Sequence, residues 1–342
     1  MADPEQYNPA RFGISTLPLN HEPYGPILPE RLTGANTGKV AVVTGAGRGE
    51  PKTPLPPQFP IPCTLQFLFP RSPLTRLRVE GIGRAIAIAL ANSGAKLALL
   101  DILVEELEDT KRACEKYEGV RAEVFQCDIT NVETVRHTFA SISENFGPVD
   151  ILVNNAGVAV GRLAFDETFE GFWRAIEVNF KGTMLCVYEV LPAMKERRSG
   201  CIINMASRAA TVDMAGGLSY NSSKAAVARA THSLQEEFEQ AGLGEQLHTY
   251  CLHPGGVWGK MVTENTTPEV QAQIRSIFKD VPELCANTVA YLAAGRGKAL
   301  RGCYFDCRQD VERVCSFGRE TLDRYELYKL GVKFLPGYQN EP

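Results

Sequence analysis

The sequence predicts an α/β fold in which one doubly wound domain carries a parallel sheet of about seven strands. Three observations predict it. Short apolar runs alternate with helical patterns from Lys39 to Cys307. The runs are apolar almost throughout, as strands buried on both faces must be. A glycine-rich turn follows the first run, and a proline-rich insertion interrupts that same first βα turn.

Taken in order, residues 1–37 are rich in Pro, Gly, Asn and Glu without sustained periodicity and read as an irregular N-terminal tail free to drape over the domain. Residues 40–44, VAVVT, form the first strand. Further strands are expected at 96–101, 122–128, 150–154, 200–206, 247–252 and 302–305. Helical patterns lie near 82–93, 103–117, 131–146, 167–196, 219–242 and 281–294. Residues 38–310 therefore make a single domain, with 311–342 as a C-terminal tail that is charged and aromatic from 318 and suited to packing on a neighbour. Without the insertion, 39–307 would span roughly 240 residues, a comfortable single domain.

Bulk composition excludes several classes of function. The 342 residues are 44% hydrophobic and 22% charged, with a net charge of −4. That balance supports a sizeable core, and no basic cluster suggests nucleic acid. No run of about 18 apolar residues appears, so no membrane span is expected. The opening Met-Ala-Asp-Pro-Glu lacks the basic and apolar regions of a secretory signal. Ten cysteines show no CxxC pair and no metal-like spacing with histidine; Cys303 and Cys307 read as packing residues on a strand. Reduced thiols and a cytoplasmic setting follow, with an organelle left open.

The glycine turn reads Thr44-Gly45-Ala46-Gly47-Arg48-Gly49, and after the insertion Ile82-Gly83-Arg84-Ala85. Glycines between a first strand and its helix let the backbone approach a pyrophosphate, which the helix start then receives through unpaired N–H groups. Asp101, closing the second strand, can accept hydrogen bonds from an adenosine ribose and would repel a 2′-phosphate. This favours NAD over NADP, although Arg48 beside the turn argues the other way. The plain alternative for Asp101 is a solvated strand end.

Tyr220 and Lys224 lie four residues apart, on one face of a predicted helix. That spacing alone is weak, because Tyr325 and Lys329 repeat it in the tail without supporting residues. Tyr220 does have company. Ser207 follows the apolar strand ending at Ala206, and Asn154-Asn155-Ala156-Gly157 follows another. With His253-Pro254-Gly255-Gly256-Val257, the set resembles the short-chain dehydrogenase/reductase family over roughly Lys39 to Cys307, minus the insertion. The resemblance implies a Rossmann-type fold that binds NAD(P).

It also implies catalytic roles for Tyr220, Lys224, Ser207 and Asn179, with Asn179 matching the family asparagine that holds a relay water. Cofactor contacts would come from Thr44, Gly45, Arg48, Gly49, Ile82, Gly83, Asp101, Asp128 and Ile129. Further contacts would come from Asn155, Ala156, Gly157, Pro254, Gly255 and Val257, and Lys224 would also hold the nicotinamide ribose. Asp128 has a second reading as a helix cap, and Asn154 reads as a brace of the central sheet. One departure is Gly259, where the family often has a threonine; Thr263 or a backbone group would have to replace that hydroxyl.

The chemistry is coherent. A tyrosine of ordinary pKa near 10 is a poor base unless its anion is favoured, and Lys224 with an oxidised nicotinamide would favour it. Ser207 can hold the substrate oxygen while charge develops there. The expected substrate is a small alcohol or ketone, and no metal is expected. Residues 258–280, with Trp258, Met261, Val262, Ile274 and Phe278, suit either a partly apolar substrate or the packing of a lid helix. By resemblance, the chain pairs through 167–196 and 219–242 into a homodimer or homotetramer.

The insertion decides how much of this applies. Residues 50–80 hold eight of the 21 prolines, with Phe59, Phe67, Phe69 and three arginines. Closing such a loop costs only about 3 kcal/mol, yet it splits a turn that needs one tight backbone path. Gly49-Glu50 can be encoded with an internal GTGAG, Glu80 as GAG, and the residues between with pyrimidine-rich codons. Translation of a retained intron, or a misdrawn gene boundary, explains residues 50–81 better than a genuine insertion. Two functional readings follow: an NAD-dependent alcohol dehydrogenase or carbonyl reductase, and a catalytically silent dinucleotide-binding or scaffold protein.

Overall fold

Strands made of Val, Ile, Leu and Ala can bury both faces only as the middle layer of a sandwich. The computed structural model describes residues 15, 17–47, 81–159, 163–263 and 266–332. Its seven parallel strands are β1 Val40–Thr44, β2 Lys96–Asp101, β3 Ala122–Gln126, β4 Ile151–Asn154, β5 Gly200–Met205, β6 Leu247–His253 and β7 Tyr304–Asp306. They lie in the order β3-β2-β1-β4-β5-β6-β7. β1 is thus flanked by β2 on one side and β4 on the other, where the winding reverses, and a crevice opens at the carboxyl ends of these strands. The register aligns those ends: Thr44 lies opposite Leu100, and Val43 opposite Val153.

The helices are α1 Pro29–Leu32, α2 Ile82–Asn92, α3 Val104–Cys114, α4 Val132–Phe146, α5 Phe169–Ile176, α6 Thr183–Arg197, α7 Leu218–Gln240, α8 Lys260–Thr263, α9 Pro268–Ile274, α10 Pro282–Ala293, α11 Val311–Cys315 and α12 Arg319–Arg324. Helices α2 and α10 pack together on one face of the sheet, and α4 and α6 cover the other.

Three details differ from the sequence expectation. The helix expected over 167–196 is broken by a π-helical turn at Glu177–Gly182. Gly182 supplies the reason for a close approach there: an added Cβ would come within 2.7 Å of the Ile129 side chain. Within the segment read as an irregular tail, Ile27 and Leu32 are fully buried, and Asn36 donates to Ser93 Oγ and Ala290 O. At the other end, α11 and α12 lead to a backbone bond from Tyr304 N to Tyr328 O, 2.8 Å, which covers the outer edge of β7.

Candidate active site

The glycine turn is assembled from both sides of the insertion. Gly45 has φ +65°, a left-handed backbone that glycine adopts without strain. A Cβ on Gly83 would fall 2.1 Å from the Gly45 carbonyl oxygen and 2.4 Å from Asn155 Nδ2, so only glycine fits. Asn155 ties the turn to β4 by donating from Nδ2 to the carbonyls of Thr44 (3.0 Å) and Gly45 (3.2 Å). The Thr44 hydroxyl accepts from the N–H groups of Asn155 and Ala156. Arg48 and Gly49, both expected at the cofactor, lie outside the described residues, as does the insertion apart from Gly81.

Helix α2 starts at Ile82 with no capping side chain and no acid in its first turn. Its orphan N–H groups, beside the close packing of Gly83 on Gly45, suit a pyrophosphate. Asp101 lies at the same rim, but its carboxylate is engaged. Oδ2 accepts from Gly47 N (3.2 Å), and Oδ1 accepts from Ile102 N and Leu103 N. The solvated strand end is therefore replaced by a buried brace of the turn. Beside it, Lys260 of α8 pairs with Glu106 of α3 at 3.1 Å and links the segment after β6 to this rim.

Asp128 makes a local turn, with Oδ1 accepting from Thr130 N and Oγ1. Burial pushes its carboxyl up, but the Thr130 bonds and the nearby Arg174 and Lys181 bring it below the ordinary range. It does not cap α4; Asn131 does, by accepting from Thr134 N. Ile129 is buried against Gly182.

The other end of the crevice gathers the polar residues. Tyr220 and Lys224 share one face of α7, with Lys224 Nζ 5.7 Å from the Tyr220 ring centre. Lys224 is buried and donates to Met205 O at 2.7 Å. Burial lowers its pKa to about 8. Burial also raises the Tyr220 phenol, and a hydrogen bond with the Ser207 side chain opposes the shift. Ser207 stands at the end of β5 and accepts from Ala209 N, capping a 3-10 turn at Arg208–Ala210. Tyr325 and Lys329 share no helix, since α12 ends at Arg324; Lys329 instead pairs with Asp323.

Asn179 is fully buried in the π-helical turn. Its Nδ2 donates to Val158 O and Ser223 Oγ, and its Oδ1 accepts from Val158 N. The carbonyl of Asn179 accepts from Thr183 Oγ1. Its side chain thus fastens the segment after β4, which carries Gly157, onto α7, and Gly157 leaves room beside both Asn179 and Lys224. Asn154 donates to Asn204 Oδ1, and Asn204 donates to Thr231 Oγ1, a polar chain running from the central sheet to α7.

After β6, Pro254 leads into Gly255, whose φ is +94°. Asp280 holds this loop: its Oδ2 accepts from Gly256 N, its N–H donates to Gly256 O, and Val257 bridges to it in parallel. His21 Nδ1 meets the other carboxylate oxygen of Asp280. Neither Asp280 nor His21 carried any spacing or motif signal. The Thr263 hydroxyl, considered as a replacement for the missing threonine, is directed at Lys260 O.

Sheet order, switch point and an uncapped helix start together define a doubly wound, dinucleotide-binding protein. The sequence profile described as short chain dehydrogenase matches residues 78–270, beginning in the last residues of the insertion. A short chain dehydrogenase of Pseudocercospora fijiensis is 29% identical over 94% of this chain and 99% of its own length. Another, from Monascus purpureus, is 30% identical over 71% of this chain and 82% of its own. A metagenomic short-chain oxidoreductase solved with NADP is 26% identical, covers 76% of this chain and 92% of its own, and superposes with a TM-score of 0.56. The chain belongs to the short-chain dehydrogenase family, whose members are NAD(P)-binding oxidoreductases.

Proposed function

We propose that the chain interconverts an alcohol and a ketone with NAD(H), using Tyr220 as general acid and base. The juxtaposition of Ser207, Tyr220 and Lys224 at the crevice carries this reading. Thr44, Gly45, Ile82 and Gly83 would hold the pyrophosphate. Asp101 at the ribose end favours NAD over NADP; with both carboxylate oxygens already engaged, it acts there through charge and position. Asp128, Ile129, Asn155, Ala156, Gly157, Pro254, Gly255 and Val257 would line the remaining length.

When bound, the nicotinamide supplies or accepts a hydride, and its oxidised form adds a positive charge. The protein's own residues handle the proton. Burial keeps Tyr220 protonated, ready to give its proton to a ketone oxygen that Ser207 holds. In the reverse direction Tyr220 must take the proton from the alcohol, and the Lys224 ammonium stabilises the phenolate. With a pKa of about 8, Lys224 is still largely charged at neutral pH. Asn179 would hold the relay water, with its side chain fixed in place by Val158 and Ser223.

Turnover of a panel of ketones by Tyr220→Phe tests the assignment. A loss of about 10²–10⁴-fold with NADH still bound is expected, and unchanged turnover would defeat it. The second reading, a silent binding protein, is favoured by the split at Gly49. Titration with NADH of the full chain and of a variant lacking 50–81 separates the two. Binding only after deletion would support the silent form.

The reading extends to setting and assembly. Among the described residues no helix is long and apolar enough to cross a membrane, and nine cysteines are free, which suits a reducing compartment such as the cytoplasm. Exposed Phe169, Trp173, Tyr188 and Leu218 on α5, α6 and α7 support pairing of these helices between copies in a homodimer or homotetramer.

A further inference from the structure

The chain between Asn20 and Tyr24 is fastened to residues far along the sequence. Val281 N donates to His21 O at 2.9 Å, and Asn20 donates from both N and Nδ2 to Arg308 O. The Tyr24 hydroxyl donates to Gln309 O and accepts from Val311 N. These bonds hold the His21 ring, 36% exposed, against the Asp280 side chain, which is 1% exposed.

Asp280 divides its carboxylate between two partners. Oδ2 accepts from Gly256 N, and Oδ1 meets His21 Nδ1. A carboxylate only accepts, so Nδ1 is the donor. The Gly255 turn is wrapped around the same group: at its φ of +94° an added Cβ would fall 2.6 Å from Oδ2. A buried carboxylate that loses one donor becomes costly where it stands. Removing the His21 N–H therefore loosens the group that fixes Gly256.

This loop lies at the catalytic end of the crevice. Its strand, β6, pairs with β5, which leads into Ser207, and His253 Nδ1 accepts from Arg208 N at 3.2 Å. A dinucleotide with its pyrophosphate at the start of α2 and its adenosine ribose toward Asp101 must turn its nicotinamide to this side. Hydride transfer needs the ring beside the ketone that Ser207 holds.

We propose that His21 is a positioning residue for the nicotinamide end of the cofactor, acting through Asp280 on the loop at 255–257. The proposal rests on the NAD(H) reading and gives a part in it to the chain ahead of the first strand.

Calorimetric titration of the full chain with NADH and with ADP-ribose, which lacks the nicotinamide, tests it in the wild type, His21→Ala and His21→Asn. Asparagine carries its amide nitrogen where histidine carries Nδ1, so it keeps the donor and loses the ring. His21→Ala should weaken NADH about five- to tenfold and ADP-ribose by less than about twofold. His21→Asn should return NADH to within about twofold of the wild type. Amide hydrogen exchange gives a readout without cofactor. The Gly256 N–H should exchange about tenfold faster in His21→Ala and near the wild-type rate in His21→Asn.

Unchanged NADH affinity in His21→Ala would overturn the proposal. So would equal weakening of both ligands, the mark of general loosening, or no recovery in His21→Asn. If the wild type binds neither ligand, the dinucleotide reading fails instead, and exchange at Gly256 decides the brace. Acceleration in His21→Ala alone upholds it, and an unchanged rate overturns it.

Discussion

At the glycine turn the tightest approaches are between backbone and a missing side chain, Gly83 against the Gly45 carbonyl, whereas around Tyr220 polar side chains meet, Tyr220 with Ser207 and Asn179 with Ser223, and Lys224 bonds the Met205 carbonyl. The first region is specified by what is absent. Its two halves are far apart in the chain, yet they meet because each packs independently on the sheet, Gly45 at the end of β1 and Gly83 at the start of α2. The second region is specified by side chains that must be buried and still satisfied. It is tolerant of backbone detail and intolerant of unpaired polar atoms. The cofactor half should therefore fail through steric change, and the catalytic half through lost hydrogen bonds and altered protonation.

The strongest way to break this contrast is Gly83→Val. The new Cβ would overlap the Gly45 carbonyl and Asn155, so we expect a loss above about 4 kcal/mol and no NADH binding. Thermal unfolding with and without NADH reads both effects. A stable variant that still binds would show that the turn can open elsewhere.

Next in size is an acid effect confined to the catalytic half. Burial holds His253 down to about 4, against an ordinary value near 6.5. As pH falls the unfolded chain takes up this proton first, so the stabilisation is complete above about 6.5 and is lost toward 4, on the order of 3 kcal/mol. Denaturant unfolding from pH 7 to 4 measures the slope. His253→Asn, which keeps an acceptor for Arg208 N, should flatten it.

Thr44→Val probes the seam between the halves. It strands the N–H groups of Asn155 and Ala156, at a cost of about 2 kcal/mol. Weaker NADH binding together with slower turnover is expected, since Thr44 joins the turn to β4; an effect on stability alone would make the seam purely structural. The smallest change is Asp101→Asn, which should move preference toward NADP by about tenfold, or 1.4 kcal/mol, in the ratio of the two dissociation constants. Because Asp101 also braces Gly47, the same variant should loosen both cofactors slightly.

Much of the site was legible in the chain. The apolar runs gave seven strands, the glycines marked the tight turn between β1 and α2, and the four-residue spacing placed Tyr220 and Lys224 on one helical face. Local patterns sufficed because helix and strand periodicity express which face is buried. The same spacing at Tyr325 and Lys329 shows the limit, since α12 stops at Arg324 and only tertiary packing reveals it. Asp280 and His21 were invisible because their partners lie far along the chain and neither belongs to a repeating pattern. Asn179 was recognised by position, yet its saturation by Val158 and Ser223 required the π-helical turn to be seen. The short helices inside the terminal segments were not read, because a few buried side chains, Ile27, Leu32 and Leu322, are too sparse to make a period.

The sequence by itself determined the layered architecture, the family and the chemical groups available, because burial pattern and residue type are local properties of the chain. Tertiary structure decided which of those groups meet. It closed Gly83 onto Gly45 across the interrupted turn, drew Asp101 into bracing that turn, and set His21 against Asp280. Such contacts join residues whose separation along the chain bears no relation to their separation in space, and only the packing of the sheet and its helices brings them within reach.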